Sequence, residues 1–129
     1  MEKKCTSCGL NKPLIDFTIA SGGNYYRSKC KKCETAQLKM RQQLKKTHQP
    51  PTCEDYICPI CKRTAIECAY EGNKKNGPWV LDHDPETGEF RGYICHTCNR
   101  SLGGFKDEEI LLFNAIEYLN KKHTILYNI

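Results

Sequence analysis

Two segments decide the fold of this chain: Val80-Leu81-Asp82-His83-Asp84 and, fifteen residues further on, Cys95-His96-Thr97-Cys98-Asn99. Together they offer ligands to two chemically different metal ions. Cysteine thiolates favour a soft ion such as zinc, whereas Asp82 and Asn99 present hard oxygen ligands. The imidazole of His83 adds a base that titrates near neutral pH. This combination predicts a catalytic metal centre built beside a structural one.

The cysteines predict two zinc sites. Eight of the ten cysteines in the 129 residues fall into four Cys-x-x-Cys pairs, a spacing that disulfide frameworks rarely show. The predicted sites are Cys5, Cys8, Cys30 and Cys33, and Cys58, Cys61, Cys95 and Cys98. Four thiolates leave no open position on zinc, so the second site would be structural. In the first site, His48 or Cys53 could replace a ligand.

Positive charge is concentrated in the first half of the chain. Residues 1–52 carry 11 Lys and Arg against 3 Asp and Glu, a balance of +8, whereas residues 53–129 carry 9 against 12, a balance of −3. The density is highest between Lys29 and Lys46. A basic helix face can simply be solvated, but a basic half beside an acidic half favours a surface that binds a polyanion.

Turn and helix signals divide the chain into three parts. Residues 1–33 predict a zinc knuckle, and residues 34–52 a basic helix over 34–47 with a linker. The linker contains Pro50-Pro51, which cannot continue a helix. Residues 53–129 then form a second unit. We expect a small, zinc-stapled α+β fold.

The second unit has a strand–turn–strand–helix pattern. Trp79-Val80-Leu81 and residues 90–94 predict two short strands joined by a turn at Pro85–Gly88. A helix should open near Cys98 and break at two glycines. Asp107 should cap a last helix that runs to about Lys121. Six residues give that helix a wide apolar arc, which serves either as core or as a dimer face: Ile110, Leu112, Phe113, Ala115, Ile116 and Leu119.

The same pattern predicts where the catalytic residues meet. A strand that ends at Asp82-His83, a return strand and a helix would bring Asn99 back towards Asp82. Carboxylate and amide oxygens suit Mg²⁺ or Mn²⁺. His83 could take a proton from water, while the metal polarises a phosphate.

These motifs resemble a known family. The ordered string Leu81-Asp82-His83-Asp84, Thr87-Gly88, Arg91-Gly92-Tyr93-Ile94-Cys95, Cys98-Asn99 and Leu102-Gly103 closely resembles the phage recombination endonuclease VII family, a branch of the HNH, or ββα-metal (His-Me finger), nucleases. The resemblance covers about residues 56–120. Residues 5–33 are similar to the zinc knuckle of many phage HNH proteins, a less diagnostic likeness. Family members often have a histidine where this chain has Pro85, and Arg91 or His96 could substitute for it in positioning the phosphate. His96 lies between two zinc ligands, however, and we expect it to face solvent.

The resemblance implies roles for the named residues. Asp82 and Asn99 would hold the catalytic Mg²⁺ or Mn²⁺, and His83 would activate water for attack on a DNA phosphodiester. Cys58, Cys61, Cys95 and Cys98 would hold structural zinc. Branched DNA of the Holliday-junction type, cut by a homodimer, is the expected substrate. The predicted DNA contacts are Lys29, Lys31, Lys32, Lys39, Arg41, Lys45, Lys46 and Arg91.

Two alternatives remain at this stage. A sequence-specific restriction, nicking or homing endonuclease would use the same core on linear DNA. A zinc-ribbon module that only binds DNA would leave the coincidence of Asp82, His83 and Asn99 unexplained. The N-terminus lacks the apolar stretch of a secretory signal, and no run reaches membrane-spanning length. We therefore expect no membrane partner and a location in the cytoplasm, which the resemblance to a phage family implies is that of a phage-infected bacterium.

Overall fold

The chain divides into two compact units, Met1–Gln49 and Pro50–Ile129. The computed structural model describes residues 1–71, 75 and 77–127, with side chains as far as residue 121. The basic helix belongs to the first unit. The boundary falls at the first of two consecutive prolines.

The first unit is two small hairpins followed by a helix. Its elements are β1 (Glu2–Lys4), β2 (Asn11–Pro13), β3 (Phe17–Ile19), β4 (Tyr26–Cys30) and α1 (Lys31–Thr47). β1 pairs with β2, and β3 pairs with β4, both antiparallel. The buried core is Phe17 with Cys5 and Cys30, against which Tyr26 and Cys33 pack. So few apolar side chains bury little surface, which explains why a unit this small depends on its cysteines.

The second unit is a short helix, a hairpin and two further helices. Its elements are α2 (Ala65–Cys68), β5 (Trp79–His83), β6 (Phe90–Cys95), α3 (His96–Gly104) and α4 (Glu109–Tyr127). β5 and β6 pair antiparallel, and α3 packs against both strands. The buried cluster again consists largely of cysteines, joined by Ile94. Trp79 and Leu102 pack against this cluster.

Two helices begin earlier than their sequences predict. α1 begins at Lys31 rather than at residue 34, and α3 begins at His96 rather than near Cys98. In each case a strand ends at a cysteine and the helix follows at once. The second cysteine of the pair therefore lies in the first helical turn. Helix propensity cannot predict these starting residues, because the convergence of the cysteine sulfur atoms determines where each helix begins.

The start of α4 also differs from the prediction. α4 begins at Glu109, and the carbonyl oxygen of Glu108 accepts from the N–H groups of Leu111 and Leu112 at 3.1 and 3.3 Å. Asp107 is therefore not the cap, and it adopts a φ of 55°. The helix extends past the predicted end, to Tyr127.

Most of the apolar arc on α4 faces solvent in the single chain. The side chains of Ile110, Phe113, Ile116 and Leu119 are 61%, 62%, 54% and 58% exposed. These four do not serve as core, whereas Leu112 and Ala115 are half-buried. Among the described residues, no helix has the length and apolar character needed to cross a bilayer.

Candidate metal centres and catalytic hairpin

The four cysteines predicted as the second zinc site converge. The Sγ atoms of Cys58, Cys61, Cys95 and Cys98 all lie within 4.8 Å of one another. Cys58 and Cys61 flank a tight turn in which the N–H of Lys62 donates to the Cys58 carbonyl oxygen at 2.9 Å. Cys95 ends β6 and Cys98 lies in the first turn of α3. Four buried or half-buried thiols this close together match the ligand set of a structural zinc site.

The cluster in the first unit is built in the same way. Cys5, Cys8, Cys30 and Cys33 also lie within 4.8 Å of one another. The N–H of Gly9 donates to the Cys5 carbonyl oxygen at 2.9 Å, and Gly9 has a φ of 73°, close to the 61° of Lys62. Cys30 ends β4 and Cys33 lies in α1. Four cysteines complete this cluster, and neither His48 nor Cys53 belongs to it.

Local hydrogen bonds favour the thiolate form, which zinc requires, in some of the cysteines of each cluster. Backbone N–H groups of Cys8 and Cys30 lower the pKa of Cys5 to about 6. Burial raises the pKa of Cys61, but donors on Arg63 outweigh it and the result is about 6. By contrast, burial raises the pKa of Cys68 to about 12, so this thiol stays neutral in the core. Other members of the clusters behave like Cys68: the hydrogen bond to Cys30 and burial raise the pKa of Cys33 to about 11, and burial raises the pKa of Cys98. Each cluster thus combines thiols of lowered and of raised pKa, and a bound cation would favour the thiolate form of all four.

Arg63 connects two sulfur atoms of the second cluster. Its Nε donates to Cys61 Sγ at 3.2 Å, and its Nη2 donates to Cys95 Sγ at 3.5 Å. Its Nη1 forms an ion pair with Glu71. A guanidinium in this position offsets the negative charge that four thiolates would place on one ion. Sequence patterns gave no indication of Arg63, because an isolated arginine beside a cysteine pair is common.

The β5–β6 hairpin presents Asp82 and His83 at the end of a strand, as predicted. Asp82 lies opposite Gly92, but His83 lies opposite Phe90, so Arg91 is an extra residue in β6. Such a bulge interrupts the alternation of side chains between the two faces of a hairpin. In a regular register Arg91 would pair with His83 and point away from Asp82. The bulge instead turns Arg91 towards the carboxylate of Asp82.

Arg91 holds two carboxylates. Its Nε donates to Asp82 Oδ2 at 2.7 Å and its Nη2 donates to Asp82 Oδ1 at 3.0 Å. The same Nη2 donates to Asp107 Oδ2 at 2.8 Å. These contacts, with Asp82 the stronger partner, raise the pKa of Arg91. The Arg91 guanidinium therefore binds both carboxylate oxygens of Asp82, which indicates that the surroundings of Asp82 can accommodate a cation. Asp107 was predicted only as a helix cap.

His83 lies on β5 and Asn99 lies on α3. His83 is the last residue of β5, and Asn99 is the fourth residue of α3, directly after the cluster residue Cys98. Both side chains are half-buried. The N–H of Cys98 also donates to Cys95 Sγ at 3.4 Å, which closes the first turn of α3. The cysteine cluster thus determines where the helix that carries Asn99 begins.

Asp84 organises the turn between the two strands. Its Oδ1 accepts from the N–H groups of Glu86 and Thr87 at 2.8 and 3.0 Å. These two donors lower the pKa of Asp84. Its backbone N–H donates to the Glu89 carbonyl oxygen at 2.8 Å. Asp84, the last residue of the Asp82-His83-Asp84 motif, therefore stabilises the turn.

The two side chains considered as replacements for the missing histidine are both engaged elsewhere. His96 Nε2 lies 3.0 Å from the Gly77 carbonyl oxygen, and the side chain is half-buried. The expectation that His96 faces solvent was therefore wrong. Arg91 is bound by Asp82 and Asp107.

The predicted DNA contacts in the first unit lie on β4 and α1. Lys29 Nζ donates to Gln37 Oε1 at 2.9 Å, and Lys31 Nζ donates to the Ile15 carbonyl oxygen at 2.9 Å. Lys32, Lys39, Lys45 and Lys46 are exposed, and Arg41 is half-buried. Arg27, Lys29 and Arg41 line an open groove between β4 and α1. Arg27 was not predicted, and it pairs with Glu34 at 3.4 Å.

Comparison with known proteins supports the nuclease core. Residues 52–121 match the family described as recombination endonuclease VII. Gene 59 protein of Mycobacterium phage D29 is 37% identical over 65 residues, which span 50% of this chain and 34% of that protein. The crystal structure of the ββα-Me type II restriction endonuclease Hpy99I matches with a TM-score of 0.53 and 30% identity.

That structural match covers 94% of this chain and 66% of Hpy99I. The chain thus spans about a third of the phage protein and just under two thirds of the restriction enzyme. The predicted α+β fold with a ββα-metal core and two tetra-cysteine clusters is confirmed.

Proposed function

Because the chain belongs to the recombination endonuclease VII family, we propose that it is a metal-dependent endonuclease that hydrolyses phosphodiester bonds in DNA. The β5–β6 hairpin carries this proposal, because β5 ends in Asp82-His83 and β6 leads into the helix that bears Asn99. Asp82 and Asn99 would hold one Mg²⁺ or Mn²⁺ ion through oxygen atoms. The two tetra-cysteine clusters would each hold one structural Zn²⁺.

The proposed reaction assigns a distinct task to each residue. His83 accepts a proton from water through a neutral imidazole nitrogen, so the resulting hydroxide can attack the phosphorus in line with the leaving oxygen. When bound, the divalent ion supplies charge that polarises the phosphate and stabilises the departing alkoxide. Asp82 and Asn99 orient that ion relative to His83. The products would carry 5′-phosphate and 3′-hydroxyl ends.

Substitution of His83 tests this assignment. His83→Ala should abolish Mg²⁺-dependent cleavage, because general-base groups typically contribute about 100-fold or more to rate. DNA binding, measured by fluorescence anisotropy, should stay within about twofold of the unsubstituted protein. His48→Ala is a matched control, since this exposed histidine lies in the first unit at the end of α1. Undiminished cleavage by His83→Ala would exclude His83 as the base. Cleavage absent from the unsubstituted, metal-loaded protein would instead favour a module that only binds DNA.

The first unit provides the proposed phosphate contacts. Lys39, Lys45 and Lys46 project from α1, and Arg27, Lys29 and Arg41 line the groove beside it. Such contacts are independent of sequence and weaken with salt. Replacing Lys45 and Lys46 by Gln should lower the slope of log affinity against log salt by about two, one for each lost contact. Replacing Lys75, which lies in the second unit, should leave the slope unchanged.

We propose branched DNA as the substrate and a homodimer as the active form. Cutting paired strands at a junction requires two active sites, and the exposed apolar arc of α4 is a suitable surface for a second copy of the chain. Sedimentation of the zinc-loaded protein should give twice the monomer mass. A strict monomer that never cuts four-way junctions would refute this part. The phage relative fits action in the cytoplasm of an infected bacterium.

A second candidate substrate is a specific sequence in linear duplex DNA. The observation that favours it is the likeness to Hpy99I, a type II restriction endonuclease, which extends over both units of this chain. One assay separates the two candidates, namely digestion of a four-way junction and of linear phage DNA by the same preparation. Discrete fragments from the linear DNA would support sequence-specific cleavage. Cleavage confined to the junction would support the first candidate.

A further inference from the structure

The carboxylate proposed as the metal ligand is already occupied by a side chain of the same unit. Arg91 binds both oxygens of Asp82, at 2.7 and 3.0 Å, and the Asp82 side chain is only 12% exposed. Bidentate guanidinium–carboxylate pairs are among the strongest hydrogen-bonded contacts in proteins. A divalent ion needs at least one of these oxygens. Arg91 and the ion therefore compete for Asp82.

Asp107 offers Arg91 a second partner. The carboxylate of Asp107 accepts from the same Nη2 that reaches Asp82, at 2.8 Å, and its side chain is 19% exposed. Because Nη2 spans the two carboxylates, Arg91 can give up Asp82 and keep a charged partner without crossing solvent. Asp107 lies between α3 and α4 with a φ of 55°, a conformation that is costly for a residue with a side chain. The backbone N–H of Asp107 donates to the Leu102 carbonyl oxygen at 2.9 Å, and this contact helps to hold Asp107 beside Arg91.

We propose that Arg91 is a built-in competitor for the catalytic cation and that Asp107 is the positioning residue that receives Arg91 when the cation binds Asp82. This inference rests on the proposed function, because it assumes that Asp82 is a metal ligand. It adds that two residues besides the proposed ligands Asp82 and Asn99 set the affinity of the site for Mg²⁺ or Mn²⁺: Arg91 opposes binding and Asp107 promotes it. The bulge at Arg91 is the feature of the fold that makes the competition possible.

The two substitutions should act in opposite directions. Without Arg91, Asp82 is free for the ion, so Arg91→Gln should bind Mn²⁺ about tenfold more tightly in the absence of DNA. Without the Asp107 carboxylate, a displaced Arg91 loses its charged partner, so Asp107→Asn should bind Mn²⁺ about threefold more weakly. Titration of the zinc-loaded full chain, followed by the electron paramagnetic resonance signal of free Mn²⁺, measures both effects without any cleavage assay.

Simple charge removal would produce the same two directions, and two further variants exclude it. Arg91→Lys keeps the positive charge but cannot bind a carboxylate through two parallel bonds. It should therefore tighten Mn²⁺ binding, whereas a pure charge effect would leave binding unchanged. In the Arg91→Gln background, Asp107→Asn should have almost no effect, because Asp107 acts through Arg91.

The double variant and one control decide the outcome. An equal loss of Mn²⁺ affinity on adding Asp107→Asn with and without Arg91 would overturn the proposal, as would unchanged affinity in Arg91→Gln. Asp82→Asn distinguishes this failure from that of the proposed function. If Asp82→Asn leaves Mn²⁺ binding unchanged, Asp82 is not a ligand and the metal assignment itself is wrong. If binding depends on Asp82 but not on Arg91, only the competition is refuted.

Discussion

Replacement of Arg63 by Met should accelerate zinc release from the second unit. Methionine retains much of the length of the side chain but removes both donors to sulfur, at 3.2 Å to Cys61 and 3.5 Å to Cys95. It also leaves Glu71 without its cationic partner. Without these donors the four thiolates carry more uncompensated charge, and each becomes easier to protonate and release.

The expected size of the effect follows from the geometry of Arg63. Outer hydrogen bonds to metal ligands typically contribute about 10- to 100-fold to metal affinity. The side chain of Arg63 is 34% exposed, so solvent screens its charge. Only the bond to Cys61 is short. The lower end of the range applies, and we expect about tenfold faster zinc loss.

The assay is transfer of zinc to a chromogenic chelator, in which the two sites should release as two phases. The phase from the first unit is an internal control, because Arg63 and both of its sulfur partners belong to the second unit. Arg100→Met is a matched control on the same unit, since Arg100 Nη1 donates to the Glu71 carbonyl oxygen at 3.3 Å. Unchanged release in Arg63→Met, or equal acceleration in Arg100→Met, would refute the role of Arg63.

Four further outcomes are expected. Cys58→Ser should lower bound zinc from two ions to one and unfold the second unit, as seen by zinc analysis and circular dichroism; a fully folded variant with two ions would contradict the tetra-cysteine assignment. Asp84→Asn should reduce the loss of folding stability that the protein shows as the pH falls into the acid range. The pKa of Asp84 is lowered in the folded state, so its carboxylate stabilises the turn above its unfolded pKa and loses that effect as pH falls through the folded pKa; an unchanged loss of stability at acid pH in pH-dependent thermal melts would exclude this. Phe113→Glu should shift a homodimer to monomer in sedimentation, whereas the same change at exposed Asn114 should not. Tyr56→Phe removes a hydroxyl that donates to the Tyr93 carbonyl oxygen at 2.5 Å and should cost about 1 kcal/mol in urea unfolding.

Several features could be predicted because they depend on short stretches of chain. The Cys-x-x-Cys pairs have a spacing that only a few metal geometries accept, and both clusters assemble as their sequences imply. The strand–turn–strand–helix order around Asp82 also follows from local alternation and turn residues. The first residues of α1 and α3 were predicted less well, since cysteine geometry rather than helix propensity decides where these helices begin.

Contacts between distant residues could not be predicted in this way. Arg63 and Asp107 carry no motif, and each acquires its role only when folding brings it to a thiolate or a guanidinium. The bulge that turns Arg91 to Asp82 is equally invisible, since a shift of one residue in pairing reverses the face of a side chain. The exposure of the apolar arc on α4 could also be learned only from the structure, because the sequence pattern of an apolar helix face is the same whether that face is buried or exposed to solvent.

The sequence by itself determined which atoms are available and in what order: eight paired cysteines, the Asp82-His83 dipeptide, Asn99 after Cys98, and a basic first half. The tertiary structure alone decided which of these groups neutralise one another. Charge partners are chosen by distance in space, and the strength of a contact between them depends on burial and orientation. That is why Arg91, predicted as a DNA contact, is found holding the carboxylate proposed to bind the catalytic metal.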